Sequence, residues 1–329
     1  MNAPRPAAPS RRQINTALAA SLAMAFSLPA ASADWPDQPI KLVVGFPPGG
    51  GGDLYGRAIA AELTRQLGQS VVVDNKTGAG GNIAAEAVAA AKPDGYTLLL
   101  AMSGNMASAP ALRRDLRYKV PEDFVFISQL VETPFGLMVG SQSRIKTVQD
   151  YIKAARAGKL SYASTGTGGA AQVVMEMVKQ AGDLDVLHIP YRGSGPAITD
   201  LMGGVVDSFF APYTPLVGQI HGGKLNLLAV SSAQRQPAFA QVPTLKESGI
   251  DVVMTQWYGL AAPRGTPAAV TERLAAAVKE ALKSPELLKV YRGDGATEGQ
   301  LSGRAFRDFV VRDIGKYRQA AARGNLRAE

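Results

Sequence analysis

Residues 40–53 read IKLVVGFPPGGGGD, and this stretch decides the class of fold. A β-rich apolar run over 40–46 is closed by Pro47-Pro48 and four successive glycines. Beyond Asp53, apolar residues recur at helical spacing (Leu54, Ala58, Ala61, Leu63, Leu67) and stop at Gly68. Val71-Val72-Val73 predicts a second strand and 83–91 a second helix. The turn signature Lys92-Pro93-Asp94-Gly95 follows, and 96–101 predicts a third strand. This strand-loop-helix-strand-helix-strand order predicts a mostly parallel, doubly wound α/β sheet.

Working outward, the pattern restarts. Residues 124–130, 137–139, 160–163, 186–189, 208–210, 225–230 and 252–254 read as strands. Residues 148–157, 170–180, 197–202, 215–221, 268–282 and 306–322 read as helices. The arrangement predicts two α/β lobes, the second inserted into the first. Lobe 1 takes 34–133 plus 259–329 and lobe 2 takes 134–258, with crossings near 133–136 and 256–259 and a cleft between the lobes.

Upstream, Arg5, Arg11 and Arg12 precede an apolar stretch over 17–28, then Pro29 and Ala31-Ser32-Ala33. A basic start, a short apolar run and an A-x-A ending read as a secretory signal peptide over 1–33, cleaved near Ala33/Asp34. The apolar run falls short of the ~20 residues of a membrane span. Ser10-Arg11-Arg12 resembles the twin-arginine signal, but Asn15 stands where that signal prefers an apolar residue, so Sec export is the default. The chain has no cysteine with which to carry a lipid anchor, and the bacterial periplasm is the natural destination.

The composition excludes much enzymology. Across 329 residues there are 35 Lys+Arg, 27 Asp+Glu, two His and no Cys. Disulfides, thiolate metal sites and cysteine nucleophiles are therefore absent. Two histidines, His188 and His221, cannot build a multi-His metal centre. No G-x-S-x-G elbow occurs, the acids are scattered, and positive charge forms no aromatic-interleaved stripe, which disfavours nucleic-acid binding.

Three glycine-rich corners each follow a strand. The first comprises Phe46, Pro47, Pro48, Gly49, Gly50, Gly51, Gly52 and Asp53. Glycines admit a ligand close to the backbone, and the helix behind them offers unpaired N–H groups and a partial positive charge. The corner matches neither a Walker loop nor G-x-G-x-x-G, and an ordinary tight turn is the plain alternative. Asp53 would repel a carboxylate ligand at contact, so its expected place is at the helix dipole or on a bridging water. The second corner, Ser164, Thr165, Gly166, Thr167, Gly168 and Gly169, adds hydroxyls suited to an anion or to helix capping. The third is Met102, Ser103, Gly104 and Asn105. Ligands of open α/β sheets bind beyond the carboxyl ends of strands, where all three corners fall. Arg192 follows a strand and is read either as a cation for the anion or as a solvated side chain. His188 reads as a buried structural residue, and Trp257-Tyr258 as lining the cleft or packing the crossing.

Several motifs resemble the Bug-type (TctC-like) solute-binding proteins of tripartite tricarboxylate transporters. They are 35–40 (WPDQPI), 46–53, 72–82 (VVDNKTGAGGN), 92–97 (KPDGYT), 160–169, 188–195 (HIPYRGSG), 242–249 and 257–267 (WYGLAAPRGTP). The resemblance implies a type II-like periplasmic binding fold, a venus flytrap of two lobes on a two-strand hinge. It implies a monomer, with no enzymatic activity, metal or cofactor, that delivers a small organic carboxylate to transporter membrane subunits. It also implies that the loops at 46–53 and 164–169 hold the ligand carboxylate, partly through water. Two departures stand out. Gln172 occupies a position where many relatives have His, and Ala211-Pro212-Tyr213 replaces an acid suited to an ammonium group. The expected ligand is therefore a plain di- or tricarboxylate, or an aromatic acid beside Pro212 and Tyr213. A periplasmic sensor feeding a signalling partner is the alternative. An enzyme is disfavoured because the sequence offers no evident nucleophile–base pair. Gly168→Pro is expected to remove a ligand donor.

Overall fold

The computed structural model describes residues 35–191, 193–293 and 295–323. The signal-peptide expectation and Arg192 lie outside these described residues. In chain order the first elements are β1 (Ile40–Val44), α1 (Gly51–Leu67), β2 (Val71–Asn75), α2 (Asn82–Ala89) and β3 (Thr97–Met102). A π-helical turn (Gly104–Ser108), the short α3 (Ala109–Leu112) and β4 (Phe124–Gly140) follow. Next come α4 (Val148–Arg156), β5 (Leu160–Ser164), α5 (Ala170–Gly182), β6 (Val186–Pro190), α6 (Ser194–Met202), β7 (Ser208–Pro212), α7 (Val217–His221) and β8 (Leu225–Val230). The chain ends with β9 (Thr255–Pro263), α8 (Ala268–Ala281), α9 (Pro285–Gly293), β10 (Thr297–Glu298) and α10 (Gly303–Arg323).

The strands run β2-β1-β3-β9-β4-β7-β5-β6. Parallel pairing joins β1 to β2 and β3, and β5 to β6 and β7. The predicted α/β character is therefore present, but the sheet is mixed and not mostly parallel, because antiparallel strands occupy its centre. β9 lies antiparallel between β3 and β4. Along β4 the partners change: Phe124 to Pro134 pair with β9, whereas Phe135 to Gly140 pair with β7 and β8. One strand thus serves two sheets.

Three local expectations are corrected. α1 begins at Gly51, not Leu54, because a first-turn residue needs no intrahelical acceptor for its N–H, and Asp53 there suits the helix dipole. The separate strands expected over 124–130 and 137–139 are one strand running through Pro134. The missing proline N–H falls where the β9 ladder ends, and the next donor, Phe135 N, finds Ser231 Oγ at 2.8 Å. Residues 252–254 are not a strand; the strand is β9, whose Gly, Ala and Pro content hides it locally. Burial in the middle of the sheet overrides that weak propensity.

The core explains the placement of α10. Trp257 on β9 is fully buried and meets Phe306 and Phe309 edge-on, with ring centroids 5.5 and 5.9 Å apart. Its indole N–H donates to the buried Asp313 at 2.8 Å. A second cluster joins Met138, Phe209, Tyr213, Leu227 and Phe239 beneath α6 and α7. At the start of α4, Thr147 and Asp150 form a capping box, a motif whose loss costs about 0.5–2 kcal/mol.

Candidate functional site

The first glycine corner is braced from within. Asp53, only 4% exposed, accepts from Gly49 N–H at 3.0 Å, Arg57 Nε at 2.9 Å and Asn75 Nδ2 at 2.9 Å. Asn75 Nδ2 also donates to the Phe46 carbonyl at 2.8 Å, and Arg57 reaches Asn75 Oδ1 at 3.1 Å. Burial alone would raise the Asp53 carboxyl pKa. The bonds from Arg57, Gly49 and Asn75, with the Arg57 charge, outweigh burial and hold it below its ordinary value. The acid shapes the loop and does not point a bare charge at a ligand. Gly49 (φ +85°) supplies a backbone conformation closed to most side chains. The N–H groups of Gly51, Gly52 and Asp53, in the first turn of α1, have no intrahelical acceptor.

The third corner forms a wall. Asn105 is buried, accepts from Met102 N–H at 3.0 Å and donates to the Gly81 carbonyl at 3.3 Å. Ser103 is buried as well. Asn105 holds the corner together, and neither residue is among those lining the cleft described below. Phe46, half-buried, packs over Gly81, where an added Cβ would lie 3.3 Å from its ring.

The second corner carries a directed chain of hydrogen bonds. Gly168 N–H donates to Gln172 Oε1 at 2.6 Å, which leaves the amide Nε2 to donate to His188 Nδ1 at 3.1 Å. With Nδ1 an acceptor, the neutral ring carries its proton on Nε2 and donates to Ser164 Oγ at 2.7 Å. Ser164 in turn reaches the Gly166 carbonyl at 3.2 Å. A serine and a histidine do meet, contrary to the expectation that no nucleophile–base pair exists. The polarity is wrong for catalysis: the nitrogen facing Ser164 already holds a proton and cannot accept one. Burial lowers the His188 pKa, with Lys179 in the same direction and Glu176 opposed. The Gly168 N–H is spent on Gln172, and its φ of +74° bars proline on steric grounds alone, so Gly168→Pro would not report on a ligand. Thr165 and Thr167 are exposed, and their hydroxyls make no hydrogen bond among the described residues.

A hydrogen bond and a cleft lie between residues of the two sheets. Ser108 Oγ donates to the Gly168 carbonyl at 3.1 Å. A cleft of about 360 Å³ opens between the start of α1 (Gly49, Gly50, Gly51, Asp53, Leu54, Arg57) and the segment after β7 (Thr214, Pro215, Val217, Gly218). The expected residues Gly49, Gly50, Gly51 and Asp53 line this cleft. Pro48, Gly52, Pro212, Tyr213 and the 164–169 loop do not. Tyr213 is wholly buried, edge-on to Phe239 at 5.5 Å. The sequence reading missed Arg57, Thr214 and Pro215. A cation one helical turn beyond Asp53 and the proline closing YTP were the available signals. Tyr258 places its hydroxyl beside Gly51, where a Cβ would lie 3.5 Å away.

Among the described residues, no group of three or more His, Cys, Asp or Glu could hold a metal, and no helix is long and apolar enough to cross a membrane.

Residues 56–318 match the sequence profile of the tripartite tricarboxylate transporter family receptor, TctC. The chain is 34% identical over 286 residues to a UPF0065 protein of Bordetella bronchiseptica, covering 87% of this chain and 85% of that one. Among solved structures, one from R. palustris with adipate shares 31% identity and a TM-score of 0.84, covering 89% of this chain and 99% of that one. MatC from Rhodopseudomonas palustris, with bound malate, shares 30% identity and a TM-score of 0.77, covering 87% and 99%.

Proposed function

Because this chain belongs to the tripartite tricarboxylate transporter receptor family, whose members are periplasmic substrate-binding proteins, we propose that it captures a small organic carboxylate and delivers it to the membrane subunits of such a transporter. The observation that carries the reading is the cleft of about 360 Å³. There the unclaimed N–H groups of the α1 first turn, at the positive end of the helix dipole, face Thr214 and Pro215 from the other sheet. A carboxylate fits such a donor set, and Arg57, which also donates to Asp53 and Asn75, adds a cation at the rim.

In this reading, residues 34–133 with 259–329 and residues 134–258 act as lobes that close on the ligand. The change of β4 partner between Pro134 and Phe135 supports a hinge there. The second crossing fits best just before β9, at Met254 and Thr255, which moves residues 255–258 from the second lobe of the periodicity reading to the first. Residues 1–33 direct Sec export and are removed near Ala33. The protein acts as a monomer without a cofactor. Similar structures solved with adipate and malate favour a plain dicarboxylate, and the absence of an acid at Ala211-Pro212-Tyr213 weighs against an amino acid.

Thermal shift against succinate, adipate, malate, citrate, terephthalate, glutamate and a nucleotide tests this directly. A ligand at ~100 times its Kd stabilises by ~2.7 kcal/mol. A shift with one or a few plain carboxylates is the expected result. A shift with the nucleotide alone would overturn the reading, and glutamate outranking every dicarboxylate would overturn the ligand class.

A further inference from the structure

The hydrogen-bond chain behind the second glycine corner has one direction, and His188 is its one titratable member. We propose that His188 and Gln172 are positioning residues for ligand binding: neutral His188 holds the 164–169 loop where the Gly168 carbonyl takes the Ser108 hydroxyl from the first sheet, and protonation of His188 releases that contact between the two sides. The proposal rests on the carboxylate-binding reading and adds to it a dependence of affinity on pH.

The geometry leaves an incoming proton a single place. Nε2 already carries one, given to Ser164 Oγ, so the second must go to Nδ1. Nδ1 is the acceptor of the Gln172 amide, and a donor there faces a donor. Turning the amide over relieves that contact but swings Nε2 toward the Gly168 N–H, replacing the 2.6 Å bond by a second donor–donor contact. Neither amide orientation satisfies both neighbours once the ring is charged. Gly168 is held at φ +74° and its carbonyl takes the Ser108 hydroxyl from the first sheet, so the loss reaches the contact that joins the two sides.

The surroundings offer the charged ring little compensation. From β5, Tyr162 stacks on the imidazole at 4.8 Å and Ser164 is already bonded to it. From α5, besides Gln172, come Glu176 and Lys179, which pair with each other at 3.0 Å, while Glu176 also accepts from the Tyr162 hydroxyl at 3.1 Å. Glu176 is thus engaged by two donors. Burial works in the same direction, keeping the ring neutral until the medium is more acidic than an ordinary histidine requires.

Gln172→Glu discriminates this role from a merely structural one. A carboxylate at 172 accepts from both Gly168 N–H and a protonated Nδ1, so it holds the loop with His188 charged. Calorimetric titration of adipate and malate above and below the His188 midpoint found by NMR is expected to show wild-type affinity falling about tenfold once the ring is charged, the equivalent of one lost hydrogen bond at ~1.4 kcal/mol. In Q172E the same acids, protonated to the same extent, lose about tenfold less. Equal losses in both proteins, or tighter wild-type binding in acid, overturn the proposal.

A readout without ligand separates this idea from the carboxylate reading. In wild-type protein, NMR should show the Gly168 amide shifting and losing exchange protection with the midpoint at which His188 titrates; His221 is the only other imidazole. A Gly168 amide indifferent to that titration overturns the brace. If neither acid binds at any pH but Gly168 follows His188, the brace stands and the choice of ligand falls.

Discussion

Replacing Gly51 with alanine adds one methyl group at the first turn of α1, and its two consequences have opposite signs. The added Cβ would lie 3.2 Å from Pro215 Cγ and 3.5 Å from the Tyr258 hydroxyl. Carbon–carbon contacts are comfortable at ~3.5–4.0 Å, so the shortfall against Pro215 is a few tenths of an ångström. Overpacking a dense core costs about 1–3 kcal/mol. Pro215 is exposed on its outer side and can give, which puts the cost near the lower limit, about 1 kcal/mol or fivefold in Kd. If the lobes open without ligand, as the proposed function requires, the substitution there restricts only the unfolded chain. Gly51 has helical backbone angles, so alanine should stabilise by about 0.4–1 kcal/mol. The assays are urea unfolding of the ligand-free protein and calorimetric titration with the best acid from the thermal-shift panel. The expected pair of results is a higher urea midpoint and a Kd weakened several-fold. An unchanged Kd would refute the idea that α1 and Pro215 close on one another around the ligand. A lower urea midpoint would refute the conformational half of the reasoning.

Two further substitutions test the buried charges. Asp53→Asn keeps the size of the side chain but turns one of its acceptors into a donor facing Arg57, Asn75 or Gly49. It should cost about 1–3 kcal/mol in urea unfolding. Because the folded pKa of Asp53 is lowered, its stabilisation is complete above the ordinary value of 3.8 and disappears as pH falls through the folded value. The asparagine variant should lack that acid-dependent step. Asp313 is the opposite case: burial raises its pKa, Glu132 adds to the rise, and the Trp257 indole and Lys316 oppose it. Stability is then lost as pH rises from 3.8 through the folded value. Asp313→Asn, which still accepts from the indole, should raise the thermal midpoint at pH 7, with the gain shrinking as the pH approaches 4; a lower midpoint at pH 7 would count against it.

What the sequence revealed and what it hid follow from the range of the interactions involved. The order β1, α1, β2, α2, β3 is legible because β-rich runs and helical spacing alternate between glycine stops, all local signals. The corners at 46–53 and 164–169 are legible for the same reason, since glycine clusters after strands are conspicuous. β9 was misplaced because WYGLAAP has a poor strand composition, and only its position between β3 and β4 makes it a strand. The continuity of β4 through Pro134 depends on a change between partners that all lie more than 70 residues away in the chain. The role of Asp53 needed Asn75, and that of His188 needed Gln172 on a different element. Thr214 and Pro215 enter the cleft only through the way the sheets meet, which no spacing along the chain records.

The place of β9 also bears on how the chain assembles after synthesis. It fills the gap between β3 and β4, yet it begins at Thr255, well after both have been made. A chain emerging amino end first therefore carries two open strand edges, rich in Leu99, Leu100, Val125 and Phe126, until the last third arrives to close them. Such long-range pairing is slow to form and prone to association with other chains in the meantime. Truncation anywhere before residue 263 should thus yield aggregates and not a smaller folded unit, and a holding chaperone should act on nascent or newly exported chains rather than on the finished protein.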